Sequence, residues 1–205
     1  FTECQPSKLK PYLTDDPSRI VIATDPDSAG WQSAQRAFWR LVALRANPRH
    51  LLLPEGVDPA DVLRTEGAAA LTERLQRATP FAPLLIERLV DERLRVHSDG
   101  FARVDLTREV ARVIGSLAPE QWSDLIRDAC SRLDMPAPMV QQEVFQAGTR
   151  WTDDPGACST RELAALRPAV PEPRIRHTSP PVMDPPLAAD LVPERCASLD
   201  QRIAR

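Results

Sequence analysis

Two acidic residues follow a short apolar run near the start of the sequence. Residues 20–23 read Ile-Val-Ile-Ala, and residues 25–30 read Asp-Pro-Asp-Ser-Ala-Gly. Such a run between turn-forming residues predicts a buried strand of a parallel sheet, and open α/β sheets bind ligands at the carboxyl ends of their strands. Asp25 and Asp27 would repel each other there unless a cation lay between them, and Mg²⁺ or Mn²⁺ suits oxygen ligands. The alternative is an Asx turn or a helix cap, which the hexapeptide alone favours by about two to one.

A second acidic segment follows another apolar run. Residues 51–53 are all leucine, and after a turn the chain reads Asp58-Pro59-Ala60-Asp61. If residues 51–53 form a neighbouring parallel strand, Asp58 lies on the same edge of the sheet as the first acidic pair. Taken alone, however, Asp58-Pro59 is a favoured helix start, with aspartate as the cap and proline as the first helical residue.

A helix connects the two predicted strands. Ser28 is a candidate cap for a helix that runs to about residue 46, where Asn47-Pro48 stops it. Apolar side chains recur along this segment at helical spacing, which gives the helix one packing face: Trp31, Ala34, Phe38, Leu41 and Val42. Strand, helix and strand in this order predict a right-handed βαβ unit and therefore an α/β fold with a parallel sheet.

The rest of the chain divides into a helical part and a proline-rich part. A helix that begins at Asp58 is interrupted at Gly67, and only helical patterns follow, up to residue 147. Prolines then recur from residue 155 to residue 193 among few large apolar side chains, so this segment cannot bury enough surface to offset its ordering entropy. We predict an α/β part in residues 1–78, a helical extension in 79–147 and a disordered tail in 148–205.

Composition excludes several classes of function. The 205-residue chain has a net charge of -3, so it lacks the overall cationic field that drives non-specific binding to nucleic acid. It has no apolar run as long as a transmembrane helix, and we expect no membrane role. Its four cysteines and three histidines are scattered, which argues against zinc and favours free thiols and solvated histidines in a reducing cytoplasm. Because the first residue is Phe1 and not Met, we expect a truncated N-terminus.

The order and spacing of the two acidic segments resemble the TOPRIM domain of bacterial-type DNA primases. That family's first pattern is Asp-Gly-Asp-x-Ala-Gly after an apolar strand, and residues 20–30 match it with Pro26 in place of the glycine. Its second pattern is Leu-Pro-x-Gly-x-Asp-Pro-Asp, then Leu, then Glu-Gly, and residues 53–67 match it closely. The similarity continues past this fold, so it spans most of residues 1–147. It implies the C-terminal half of a TOPRIM domain, with a Rossmann-like parallel sheet, followed by the family's helical extension.

The resemblance implies a set of metal ligands. In this family the acidic residues hold divalent metal ions near the growing primer, which makes Asp25, Asp27 and Asp58 candidate ligands of Mg²⁺ or Mn²⁺. Ala60 occupies the place of the family's second aspartate in the Asp-Pro-Asp triplet, and Asp61, one position later, is its candidate substitute.

Two further features bear on activity and on template binding. The family's catalytic glutamate lies on a strand upstream of Phe1, so we expect this fragment to be inactive alone and the intact protein to be a primase if it retains that glutamate. Trp31 stands where many primases carry a basic residue. Arg36 and Arg40 on the first helix are candidate contacts to nucleic acid, although a solvated helix face is favoured by about three to one.

The leading hypothesis is a metal-dependent, primase-type nucleotidyltransferase domain. It would act in DNA replication in the cytoplasm, on single-stranded DNA templates and nucleotides, with a replicative helicase as a further candidate partner. The alternative is a degenerate TOPRIM module that serves as a DNA-binding or docking domain in a larger replication or conjugative-transfer protein, which Ala60 and Trp31 favour slightly. A TOPRIM nuclease is a third hypothesis, and residues 53–67 with the helices after them argue against it.

Overall fold

The computed structural model describes residues 8–13, 16–54, 56–96 and 100–166. Within these ranges the strands are β1 (Val21–Ile22), β2 (Arg49–His50) and β3 (Thr79–Pro80). The helices are α1 (Ser28–Val42), α2 (Pro59–Gln76), α3 (Phe81–Val96), α4 (Gly100–Gly115), α5 (Trp122–Leu133), α6 (Ala137–Asp153) and α7 (Pro155–Ala165). Short 3₁₀ turns occur at Lys10–Tyr12 and Pro119–Gln121. None of the helices in the described ranges is long and apolar enough to cross a lipid bilayer.

The sheet has the order β1-β2-β3. β1 and β2 are parallel, with Ile22 opposite His50, and α1 connects them, which confirms the predicted βαβ unit and the α/β class. The second strand is Arg49–His50, so the predicted residues 51–53 lie directly after it, and the Leu51 N–H extends the pairing by donating to the Ile22 carbonyl at 2.9 Å. β3 was not predicted, and because it runs antiparallel to β2 the sheet is mixed.

One hydrophobic core joins the sheet to the helices. Phe38 of α1 and Phe81 of α3 are fully buried, and their ring centroids are 5.5 Å apart. Burial of a side chain of this size contributes about 1.5–3 kcal/mol to folding. The contact links the α/β part to the first helix of the helical extension, so the two predicted parts share a core and belong to one compact unit.

The second helix of the chain contains the predicted interruption. Gly67 lies inside α2 with φ 86° and ψ 173°, which breaks the helical path between two segments. An L-residue with a side chain rarely adopts a positive φ, whereas glycine does so at little cost. At the far end of α2, Arg49 of β2 donates from Nε to the Ala78 carbonyl and from Nη2 to the Gln76 carbonyl, each at 2.7 Å. This guanidinium fixes the end of α2 against the sheet.

The helical part extends further than predicted. α6 runs to Asp153 and α7 spans Pro155–Ala165, so the prediction of a disordered tail is wrong for residues 148–166. Trp151 is buried and stacks on Trp39 of α1, with ring centroids 5.8 Å apart and planes 12° apart. These aromatic contacts bury apolar surface and so stabilise the segment, although its proline-rich composition had predicted disorder. Residues 167–205 lie outside the described residues, and the tail prediction stays untested there.

Ser159 is expected to stabilise the packing of α7 on α1. Its hydroxyl donates to the Trp39 carbonyl at 2.8 Å, and that carbonyl belongs to the last turn of α1, where helices lack internal donors. We expect Ser159→Ala to lower the free energy of unfolding by about 1 kcal/mol, because the buried carbonyl loses its partner. Urea denaturation checks this, with Thr160→Ala as the control, since the exposed Thr160 hydroxyl bonds only within α7. Equal stability of the two variants would contradict the role of Ser159.

Candidate functional site

Asp25 and Asp27 lie in the turn between β1 and α1. They line an open concavity of about 320 Å³ together with Thr24 and Ser33. Asp27 is also the N-cap of α1, because its Oδ1 accepts from the Gly30 N–H at 2.6 Å, so the cap belongs to Asp27 and not to Ser28 as predicted. A carboxylate has about four acceptor positions on its two oxygens, so this single bond does not exhaust Asp27. Capping and metal binding are therefore compatible at this residue.

Gly30 allows the turn to close tightly. A Cβ atom at this position would lie 2.0 Å from the carbonyl oxygen of Asp25 and 2.9 Å from its carbonyl carbon. Only glycine fits there, because the first turn of α1 passes directly over the Asp25 backbone. The Asp-x-Asp-x-x-Gly spacing thus has a structural reason: the glycine lets the helix approach, and the approach sets where both aspartates lie.

Asp58 and Asp61 cap the N-terminus of α2. The Asp61 N–H donates to Asp58 Oδ1 at 2.6 Å, and the Asp58 N–H donates to Asp61 Oδ2 at 3.5 Å, which forms a reciprocal capping box. Arg64 pairs with the remaining oxygen of Asp61, Oδ1. Both carboxylates therefore have structural partners, as expected for an aspartate followed by a proline at the first helical position.

The four candidate ligands are only partly brought together. Asp25 and Asp27 share one concavity, and their oxygens are the donors that Mg²⁺ and Mn²⁺ prefer. Across the described ranges, however, no three aspartate, glutamate, histidine or cysteine side chains form a group able to hold a metal ion. The described structure thus brings two carboxylates to one concavity, and the role of Asp25, Asp27, Asp58 and Asp61 as metal ligands stays a prediction.

His50 lies next to this site and was interpreted as solvated, which is wrong. It is 7% exposed, and its ring lies 5.1 Å from that of Phe81 and 6.0 Å from that of Trp31. Its Nε2 is 3.5 Å from the hydroxyl of Thr24, which lines the Asp25 concavity. Burial lowers the pKa of His50, because the charged imidazolium loses its hydration. The sequence signal that was missed is the position of His50 directly before the leucine run, within the paired part of the strand.

Arginines of α1 are candidates for contact with nucleic acid, and an arginine of α3 contacts Trp31. Arg36 and Arg40 are half-buried on α1, and their contact with nucleic acid stays a prediction. Arg88 of α3 places its guanidinium carbon 4.4 Å from the centroid of the Trp31 ring, which is a cation–π contact. A positive charge thus lies beside Trp31, although the residue itself is not basic.

Comparison with known proteins points to DNA primases. The DNA primase of Escherichia coli K12 is 24% identical over 151 residues, which cover 63% of this chain and 26% of that protein. The DNA primase of Myxococcus xanthus is 34% identical over 73 residues, which cover 36% of this chain and 12% of that protein. A crystal structure of a DNA primase domain from Pseudomonas aeruginosa has a TM-score of 0.51 and 24% identity, covering 63% of this chain and 41% of that one.

These similarities cover only part of each relative and are at low sequence identity. The matched stretch spans about a quarter of the length of the Escherichia coli relative. No protein-family profile matches the sequence. At 24% identity, the likeness to the Pseudomonas aeruginosa structure shows a shared fold.

Proposed function

We propose that this chain is part of a metal-dependent, primase-type nucleotidyltransferase that joins nucleotides into primers on single-stranded DNA. The observation that carries the proposal is the pair Asp25 and Asp27, which line one concavity at the carboxyl end of β1. Ligand sites of open α/β sheets occur at this position. The sequence similarity to DNA primases supports the same function.

In this proposal the two aspartates hold Mg²⁺ or Mn²⁺. A bound divalent metal ion offsets the charge that develops on a transferred phosphoryl group. The chain's own contribution is positioning: Gly30 brings α1 onto the Asp25 backbone, and the cap bond to Gly30 N–H holds one oxygen of Asp27. A carboxylate held like that of Asp27 needs little rearrangement when a metal ion binds.

The ligand set of the proposal also includes Asp58, with Asp61 as a candidate substitute for the family's second aspartate. Both would have to combine metal binding with the capping box of α2. Because the family that the sequence resembles supplies its catalytic glutamate from an upstream strand, we propose that primer synthesis also needs that glutamate.

A docking module is the second candidate function. It is favoured by two observations, namely the absence of a three-ligand group within the described ranges and the capping partners of Asp58 and Asp61. In that case the α/β part binds DNA or a protein partner, and the carboxylates are needed only as helix caps.

Metal removal distinguishes the two functions. A protein that contains this chain together with the upstream glutamate is incubated with single-stranded DNA, labelled ribonucleotides and Mg²⁺ or Mn²⁺, and primers are resolved by gel electrophoresis. We expect synthesis that EDTA abolishes and that excess Mg²⁺ or Mn²⁺ restores. Absence of synthesis, together with DNA binding that EDTA does not change, would reject the primase proposal in favour of the docking module.

A further inference from the structure

A second pocket lies between the sheet and the end of α2. It has a volume of about 210 Å³ and is lined by His50, Thr79, Arg74 and Arg77, with leucine side chains of residues 51 and 52 as an apolar wall. His50 and Thr79 are partners across β2 and β3, so both side chains stand on the same face of the sheet. The pocket therefore combines polar groups of two strands with Arg74 from the last turn of α2 and Arg77, which directly follows that helix.

Two of the residues that line this pocket, His50 and Thr79, each have a buried polar atom without a hydrogen-bond partner among the described residues. Within the described residues, neither Nδ1 of His50 nor Oγ1 of Thr79 forms a hydrogen bond, although both are buried. Leaving such an atom unsatisfied costs about 1–3 kcal/mol, so a bound ligand that reaches these atoms would recover that loss. Neutral histidine has one protonated nitrogen, and in the tautomer whose Nε2 accepts from the Thr24 hydroxyl, 3.5 Å away, Nδ1 carries the proton and can donate to a ligand.

The hydrogen-bonding groups of this pocket are therefore donors. The two guanidinium groups, the Thr79 hydroxyl and His50 Nδ1 all can donate, and none of the described residues lining the pocket is acidic. Arg74 contacts both carboxylate oxygens of Glu66 at 2.8 Å and Arg77 pairs with Glu73 at 2.7 Å, and all four side chains are at least one-third exposed. Exposed ion pairs contribute about 0–1 kcal/mol, so an anion can displace them at little cost.

We infer that this pocket binds a phosphate group. Arginine forms paired hydrogen bonds with phosphate oxygens, and the hydroxyl and imidazole donors suit the oxygens that remain. The phosphate belongs to a nucleotide or to a DNA backbone, an assignment of the source that rests on the proposed function. Thr24 connects the two sites, because it lines the Asp25 concavity and its hydroxyl contacts His50.

Phosphate titration tests this inference directly. Binding of inorganic phosphate to the full chain is measured by isothermal titration calorimetry, for the native sequence and for the double variant Arg74→Ala, Arg77→Ala. We expect the double variant to raise the Kd at least tenfold. The matched control is Arg108→Ala, Arg127→Ala, which removes two exposed, ion-paired arginines far along the chain, with Arg127 as exposed as Arg77 (78% and 77%). Thermal unfolding of each variant checks that it is folded, and Thr79→Val, which keeps the shape of the side chain, is expected to weaken binding less.

Competition identifies the source of the phosphate. A nucleoside triphosphate that displaces inorganic phosphate assigns the pocket to a nucleotide, and a single-stranded oligonucleotide that does so assigns it to template or primer. The inference is overturned if neither competes, or if the double variant binds phosphate as the native chain does. This test is independent of primer synthesis. If the protein binds phosphate through Arg74 and Arg77 but makes no primers, the inference about this pocket holds and the proposed function fails.

Discussion

Replacing Gly30 with alanine is expected to lower the free energy of unfolding by about 3 kcal/mol. The added methyl group would lie 2.0 Å from the Asp25 carbonyl oxygen, and this atom belongs to the backbone, so it cannot rotate away as a side chain can. Overpacking of this kind costs about 1–3 kcal/mol, and a contact this short belongs at the upper end of that range. Relief of the clash requires the turn between β1 and α1 to open, which would also move Asp25 and Asp27. Urea denaturation measures the loss.

Gly156 provides the matched control. It also lies in the first turn of a helix capped by an aspartate, α7, but a Cβ atom there would come no closer than 3.5 Å to Asp154 Oδ1. We expect Gly156→Ala to be neutral or to stabilise the protein by up to about 1 kcal/mol, because alanine has the higher helix propensity. The two substitutions are chemically identical, and only the one at Gly30 should destabilise the protein. Similar stability of the two variants would show that α1 does not need to approach the Asp25 backbone.

Local signals in the sequence were sufficient for the elements that surround the candidate site. The apolar run before Asp25 and the helical spacing after Ser28 predicted β1 and α1, because each depends on residues close in sequence. Gly67 was identified as an interruption for the same reason, since a positive φ is a property of a single residue. The two aspartates of the first pair were expected on one edge of the sheet, and the structure places both at one concavity.

Features that depend on distant residues could not be predicted in this way. β3 contains Pro80, which cannot donate to a strand ladder, and it lies in the part of the chain where only helical patterns were found. It nevertheless pairs with Arg49 from an earlier part of the chain. The burial of His50 depends on Trp31 and Phe81, which no local pattern connects to it. In contrast, Asp154-Pro155 is the same helix-start signal that identified Asp58-Pro59, and the proline-rich composition of the following segment concealed it.

Neutralising Asp25 and Asp27 is expected to abolish primer synthesis without unfolding the protein. We expect the double variant Asp25→Asn, Asp27→Asn to reduce synthesis by a protein that contains this chain and the upstream glutamate roughly a thousandfold or more, because a metal ion contributes several kcal/mol to phosphoryl transfer and asparagine is a poor ligand for it. The expected stability change is small, about 0.5 kcal/mol or less, since asparagine at position 27 can still accept from the Gly30 N–H and keep the cap of α1. Primer synthesis and urea denaturation are measured on the same preparations.

Asparagine removes the negative charge needed for metal binding but keeps the oxygen that caps the helix. Alanine would remove both, so the two effects could not be told apart. Asp27→Ala removes both the charge and the cap, and loss of a cap alone costs about 1 kcal/mol. Asp154→Asn is the matched control, because Asp154 caps α7 through the Ala157 N–H at 2.8 Å in the same way that Asp27 caps α1, but lies outside the concavity of the acidic pair. It should leave both synthesis and stability unchanged.

Full synthesis by the Asp25, Asp27 double variant would reject these residues as metal ligands. Loss of synthesis together with a large loss of stability would show that the carboxylates act on the fold. Mn²⁺ binding to the 205-residue chain, followed by electron paramagnetic resonance, then tests the ligands without requiring catalysis: the native chain should bind Mn²⁺, and the double variant should not.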